Sequence, residues 1–148
     1  MNLCFYFQHS YFVNFSGKVK PFFKSQPVPK KQTGPLKAVV AKNFNKEILK
    51  SKKDVLIEFY APWCGHCKIL EPTLKKLAKH VAKTNPDVIV AKMDATANDV
   101  PPPFTVNGFP TLYFLRATDK DDPILYNGDR NFNKLKVSSY FLKLVNLD

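Results

Sequence analysis

Cys64 and Cys67 stand in Phe59-Tyr60-Ala61-Pro62-Trp63-Cys64-Gly65-His66-Cys67-Lys68, with two residues between them. Two thiols this close can form, break and exchange disulfides. An apolar run, Val55 to Tyr60, leads in, and a helical pattern leads out, with Leu70, Leu74, Leu77, Ala78 and Val81 spaced by three and four. That is a strand, a short turn, and a helix whose first turn holds Cys64. A helix N-terminus offers unpaired backbone N–H groups and partial positive charge, which both favour a thiolate. Such placement lowers a cysteine pKa from about 8.5 into roughly the 3.5–7.5 range. Cys64 would then be a nucleophile at neutral pH, and Cys67 its second thiol. Two other uses of the pair are open. A zinc half-site needs two more ligands, and Cys4, His9 and His80 lack ligand spacing. A structural disulfide usually closes a longer loop.

The elements that must position this pair follow in chain order. Phe12 to Phe23 is aromatic, then broken by Gly17 and Pro21. Lys24 to Pro35 holds Pro27, Pro29, Pro35 and Gly34 and reads as an extended linker. Leu36 to Ala41 is expected as a strand, and Phe44 to Leu49 as a short helix with Asn43 as N-cap. Val55 to Tyr60, apolar except for Glu58, has the character of a central strand covered on both faces. The helix from Cys64 to about Lys83 contains Pro72, which should kink it. Val88 to Met93 is the next strand. A short helix belongs between Asp94 and Phe104 by position, but Pro101-Pro102-Pro103 cannot supply N–H groups, so regular helix is not expected before Phe104. Thr111 to Leu115 and Ile124 to Tyr126 are strands joined by the acidic turn Asp119 to Asp122. Asn131 to Leu144 is a final helix, with Phe132, Leu135, Tyr140, Phe141 and Leu144 available to pack.

The stretch Ala61-Pro62-Trp63-Cys64-Gly65-His66-Cys67-Lys68 resembles the active site of the protein disulfide isomerase family, within the thioredoxin superfamily. Gly65-His66 between the thiols, Trp63 before them and the strand–helix context carry the likeness. The order β-α-β-α-β-α-β-β-α matches the α/β thioredoxin fold, a central mixed sheet flanked by helices. The likeness is dense over residues 36–145 and looser over 12–35, and the three prolines near 102 depart from it. It implies two parts. Residues 36–148 would be the catalytic domain, similar to the last one of a multidomain isomerase. Residues 1–35 would be an extension and linker, with Tyr11 to Lys20 the end of a preceding domain's last helix.

Four further positions bear on the thiols. Glu58 is an acid inside an apolar strand, and a dry carboxyl has a raised pKa. Its six-residue offset from Cys64 can place it beneath the active-site helix; in similar domains this acid moves protons on and off the second cysteine, here Cys67. The plainer alternative is an acid simply paired to Lys92 in the adjacent strand; the two are compatible, and Lys92 stands with Glu58 among the catalytic candidates. His66 is a titratable group between the thiols, and a cation there stabilises thiolates and makes the disulfide more oxidising. Gly65 is expected to permit the tight turn. Gly108-Phe109-Pro110-Thr111 resembles the cis-proline loop that faces the thiols, so Trp63, Phe109 and Pro110 are the substrate-binding candidates. The backbone of Phe109 would pair with an extended peptide as an added strand. Arg130, after Gly128-Asp129, matches an arginine that swings toward the site and lowers the second cysteine's pKa.

The chain has 148 residues, 45% hydrophobic and 14% aromatic, enough for one domain and a lead-in. Net charge is +11, but residues 1–53 carry +10 of it and residues 54–148 only +1. The basic excess belongs to the lead-in, with no phosphate loop or nucleic-acid motif beside it, so nucleic acid is not the expected partner. No run of 18 apolar residues exists, so no membrane span is expected. Met1 to Phe15 lacks a basic n-region before an apolar core, and Val145-Asn146-Leu147-Asp148 is not a retention signal. The endoplasmic reticulum lumen is implied by the resemblance alone. The same resemblance implies unfolded or misoxidised client proteins as substrates, with glutathione or an upstream thiol oxidase as redox partner. No cofactor or metal is called for. The function expected is a thiol–disulfide oxidoreductase and isomerase; the alternative is a peptide-binding, chaperone-like module in which the thiols are secondary.

Overall fold

The computed structural model describes residues 23–144, with side chains described through Ser138. Cys4, His9 and the helix expected over Tyr11–Lys20 lie outside the described residues, as do the side chains of Tyr140, Phe141 and Leu144.

Five strands form one mixed sheet in the order β1-β3-β2-β4-β5. They are β1 (Lys37–Ala38), β2 (Asp54–Tyr60), β3 (Val88–Asp94), β4 (Thr111–Leu115) and β5 (Ile124–Leu125). β2 lies at the centre, parallel to β3 and antiparallel to β4, and β1 is parallel to β3. The two parallel pairs need crossovers. The crossovers are α1 (Ala41–Phe44) and the turn after it, and the long α2 (Gly65–Thr84); α3 (Phe132–Leu144) closes the chain.

Side chains alternate across a strand, and β2 uses both faces. Val55, Ile57 and Phe59 pack toward α1 with Phe44, Ile48, Phe104 and Tyr113. Leu56 packs toward α2 and α3 with Leu70, Leu74, Leu77, Val81 and Leu135. Glu58 shares the parity of Leu56, so an acid is carried on the face that α2 covers. The burial of both faces explains why β2 reads as a continuous apolar run.

Two local expectations are corrected. β1 is two residues rather than the span Leu36 to Ala41. After Val39 donates to the Lys92 carbonyl at 3.0 Å, the chain turns into α1. The first helix begins at Ala41, and Asn43 is not its N-cap. Asn43 sits inside the first turn, where its Oδ1 accepts from the Val40 N–H at 2.8 Å. Beyond it, Asn45–Leu49 winds wider, and Lys50 N–H donates to the Asn45 carbonyl at 2.8 Å. No helix forms between Asp94 and Phe104. Pro101, Pro102 and Pro103 have no N–H to give, and Phe104 N–H closes only one turn, on Pro101 O at 3.2 Å. The peptide bonds Pro102–Pro103 and Phe109–Pro110 are cis. α2 runs through Pro72 to Thr84, leaving the Lys68 carbonyl without its helical partner.

The segment Lys24 to Gln26 is tied to the domain by Asn98. Asn98 is 3% exposed. Its Oδ1 accepts from the N–H groups of Gln26 and Ala41, both at 3.0 Å. Its Nδ2 donates to Gln26 Oε1 and to the Asp94 carbonyl, both at 2.9 Å. An asparagine has two donors and two acceptor lone pairs, so every one is used. Lys24 N–H adds a bond to Asp99 Oδ2 at 2.7 Å. One side chain thus fastens the lead-in, the start of α1 and the end of β3.

Candidate active site

Cys64 is the N-cap of α2, in extended conformation, and its thiol accepts from the Cys67 N–H at 3.3 Å. Sulfur here does what an oxygen does at an ordinary N-cap. Cys64 is 7% exposed, although only a thin layer of atoms lies over it. A hydrogen bond from the Cys67 thiol holds its pKa down, reinforced by the backbone N–H groups of Cys67 and His66 and opposed by burial. When protonated, Cys64 Sγ can donate to the Phe109 carbonyl, 3.6 Å away. Cys67 is pushed the other way, up to about 12. Burial is the largest cause, followed by the bond it donates to Cys64 and the negative charges of Cys64 and Glu58. Both cysteines are reduced. The pair is therefore asymmetric, with a nucleophilic outer thiol and a protonated inner one.

Pro110 is buried, and Phe109 packs beside Ala61, Cys64 and Cys67. Trp63 meets Phe109 edge to face, with ring centroids 5.8 Å apart, yet is 72% exposed. Ile69, on the next turn of α2, is 76% exposed. Trp63 and Phe109 make an apolar edge beside Cys64, and Ile69 adds exposed apolar surface on α2. His66 is exposed in the first turn of α2. A Cβ at Gly65 would meet nothing within 4 Å, and its backbone is not left-handed. The tight turn expected to need Gly65 does not need it sterically.

Glu58, 2% exposed, lies behind Cys67. A cavity of about 250 Å³ is lined by Glu58, Tyr60, Ala61, Pro62, Cys67, Lys68, Glu71 and Lys92. Burial pushes the Glu58 carboxyl up to about 7. The charges of Lys92 and then Arg130 oppose the rise, and that of Glu71 adds to it. Glu58 and Lys92 are direct neighbours in the β2–β3 register. The expected ion pair between them is nevertheless absent. Lys92 Nζ sits 2.7 Å from Glu71 Oε1, and Glu58 Oε1 has no hydrogen-bond partner. Arg130 is exposed in the loop before α3. It acts on Glu58 through its charge and is not among the main influences on Cys67. The structure thus gathers Cys64, Cys67, Glu58, Lys92, Trp63, Phe109 and Pro110, and leaves His66 and Arg130 at the periphery.

A family model described as Thioredoxin matches residues 35–139. The chain belongs to the thioredoxin family. It is 55% identical to protein disulfide-isomerase A3 of Gallus gallus over 116 residues, 78% of this chain and 23% of that protein. It is 54% identical over 121 residues to the probable protein disulfide-isomerase A4 of Caenorhabditis elegans, 82% of this chain and 20% of that one. The chain therefore spans about a fifth to a quarter of the length of the curated relatives it matches. Among solved structures, the first thioredoxin domain of mouse protein disulfide-isomerase A4 superposes with a TM-score of 0.66 at 33% identity. That match covers 76% of this chain and 78% of the mouse domain. The five-stranded mixed sheet with helices on both faces is the thioredoxin fold.

Two polar residues of this thioredoxin domain escaped the sequence reading. Glu71 follows Cys67 by one helical turn, and that spacing was the available signal. Asn98 lies in an irregular loop and had none.

Proposed function

We propose that this chain is a thiol–disulfide oxidoreductase and isomerase acting on client proteins, with residues 36–148 as the catalytic unit and residues 1–35 as a lead-in. One observation carries the reading: Cys64 caps the helix whose first turn holds Cys67, its sulfur accepts from the Cys67 N–H, and the thiol–thiol hydrogen bond lowers the pKa of Cys64 while burial and that same bond raise the pKa of Cys67. An exchange catalyst needs one thiolate ready to attack and one thiol held in reserve.

In reduction, the Cys64 thiolate attacks one sulfur of a client disulfide. A Cys64–client bond forms, the client S–S bond breaks, and the other client sulfur leaves as a thiolate that takes up a proton. Cys64 is then no longer an anion, so the charge and hydrogen bond that raise Cys67 disappear. Cys67 gives its proton to the Glu58 carboxylate, directly or through water in the cavity, which is roomy and polar enough to hold it. The Cys67 thiolate attacks Cys64 Sγ. The mixed disulfide breaks, the second client thiolate leaves, and Cys64–Cys67 is oxidised as the client gains two electrons. Oxidation runs the same steps backwards. Isomerisation is the case in which another client thiol displaces Cys64 before Cys67 does.

Phe109 and the exposed Trp63 and Ile69 would hold the client, its backbone paired along the Phe109–Pro110 edge. His66 favours the Cys64 thiolate through its backbone N–H, and the Arg130 charge acts on Glu58. Unfolded or misoxidised proteins are the clients, and glutathione or a thiol oxidase returns the disulfide. The endoplasmic reticulum lumen is the compartment that fits disulfide isomerisation. No described helix is long and apolar enough to cross a membrane.

The decisive experiment is the equilibrium of the Cys64/Cys67 pair against glutathione, with turnover of a dithiol peptide. A potential near about −180 mV, the figure for disulfide isomerase, fits this function, and one near about −270 mV fits a reductase. Glu58→Gln should slow resolution by Cys67 by about 10²-fold or more while the first attack by Cys64 barely changes. The exposed Trp63 and Ile69 favour one other reading, a peptide-binding module. In that case peptide binding survives Cys64→Ser with Cys67→Ser, and wild-type thiol turnover is negligible.

A further inference from the structure

Opposite charges facing each other across a strand pair normally meet. Glu58 and Lys92 face each other in the register and do not. Lys92 Nζ lies instead 2.7 Å from Glu71 Oε1, and Lys75 Nζ approaches the same oxygen at 3.1 Å. The Lys92 ammonium also sits 5.0 Å from the centre of the Tyr60 ring. Glu58 Oε1 is left buried and unpartnered. Glu71 follows Cys67 by four residues on α2, which puts both on one helix face, and both line the cavity with Glu58.

We propose that Glu71 is a positioning residue for the thiol chemistry: its carboxylate holds the Lys92 ammonium on the helix side of the cavity and so keeps Glu58 without a counter-ion, able to take and return a proton. The inference rests on Glu58 being the proton carrier of the function proposed above. Glu71 touches no sulfur and acts through Lys92 and through its own charge.

The groups facing Glu58 bear this out from each side. α2 supplies Cys67, Lys68 and Glu71; β3 supplies Lys92; the loop before α3 supplies Arg130. Its own strand supplies Tyr60, and its β4 partner is the apolar Leu112. Lys92 is its register partner and the cation whose charge acts on it most. A Glu58–Lys92 contact would leave Glu58 ionised throughout the neutral range, and an acid that never holds a proton returns none. Glu71 opposes this twice, by occupying Lys92 and by adding negative charge near Glu58. The two effects have the same sign.

The test reads Glu58 directly, by carboxyl-carbon NMR titration of the full 148-residue chain in its Cys64–Cys67 disulfide form, where neither active-site thiol titrates. Glu71→Gln should move the Glu58 midpoint down by about 1–3 pH units, the effect of an opposite charge coming within reach. Adding Lys92→Met to Glu71→Gln should carry the midpoint back up to the wild-type value or above. A midpoint unmoved by Glu71→Gln, or one that falls as far with Lys92 already replaced, overturns the inference. If circular dichroism shows Glu71→Gln misfolded, Glu71→Ala is read in its place with the same expectations. The pH profile of resolution by Cys67 is recorded on the same variants. A Glu58 midpoint that moves while this profile stays supports the hold of Glu71 on Lys92 and refutes Glu58 as the proton carrier. The two failures are thus distinguishable.

Discussion

Glu58→Gln should make the protein more stable, by an amount that grows as pH rises from about 4.5 to about 7. The Glu58 carboxyl rises from 4.5 to about 7 on folding, chiefly through burial. At about 1.4 kcal/mol per pH unit, that rise is ~3 kcal/mol of penalty on the ionised form. Below about pH 4.5 the folded and unfolded chains both hold the proton and there is no penalty. Between the two values the unfolded chain has released its proton and the folded chain has not. The unfolded state then binds fewer protons, so stability falls as pH rises, and above about pH 7 the full ~3 kcal/mol is lost. An amide cannot titrate, so Glu58→Gln removes the fall. Both the neutral acid and the amide are buried polar groups short of partners, each costing about 1–3 kcal/mol, and that part cancels at every pH. The assay is urea unfolding of both proteins in the disulfide form at a series of pH values from about 4 to about 8, the range the two ionisations span. The mutant-minus-wild-type difference should start near zero and climb toward ~3 kcal/mol. Every other carboxylate is common to both chains and drops out. A difference that does not change with pH, or that changes in the opposite direction, would mean that Glu58 is not the dry, unpaired acid the structure shows.

Cys64 should be alkylated by iodoacetamide at neutral pH much faster than Cys67, because its thiolate is stabilised and that of Cys67 is not; mass spectrometry of the two sites decides it, and equal rates refute the assignment. Cys67→Ser should leave Cys64 trapped in mixed disulfides with client proteins, visible on non-reducing gels and absent when Cys64 is also replaced. Asn98→Ala should destabilise the fold by about 2–4 kcal/mol, since it strips partners from several buried or half-buried backbone groups at once; the same variant should be cut faster by protease between Gln26 and Leu36, and an unchanged cleavage rate would show that Asn98 does not hold the lead-in.

The thiol pair and its frame were legible because each depends on local rules. Two cysteines at this spacing, an apolar run before them and a three-four pattern after them specify strand, turn and helix with little help from elsewhere. Glu58 was legible for a related reason. An acid in a strand covered on both faces is an exception to the pattern around it, and exceptions of this kind are expensive enough to need a cause. The misread places depend on longer-range bookkeeping. Leu36 to Ala41 has strand character, but Ala41 N–H is claimed by Asn98 Oδ1, 57 positions away, where α1 begins. The lack of regular helix before Phe104 was legible in the run of prolines.

The charge partner of Glu58 is the instructive error. Strand register alone predicts a Glu58–Lys92 pair, and the register is as expected. What the register cannot say is which of two acids the lysine chooses. Glu58 is nearly sealed from water, whereas Glu71 keeps about a third of its side chain exposed. An ion pair at Glu71 costs less desolvation than one at Glu58. Lys92 has a long, flexible stem and can reach the cheaper partner without moving its backbone. A wetter acid one helical turn from the thiols therefore decides the charge of the dry acid beneath them. The sequence contains Glu71, but only the three-dimensional arrangement of α2 over β2 and β3 turns it from one surface acid among many into a competitor for Lys92.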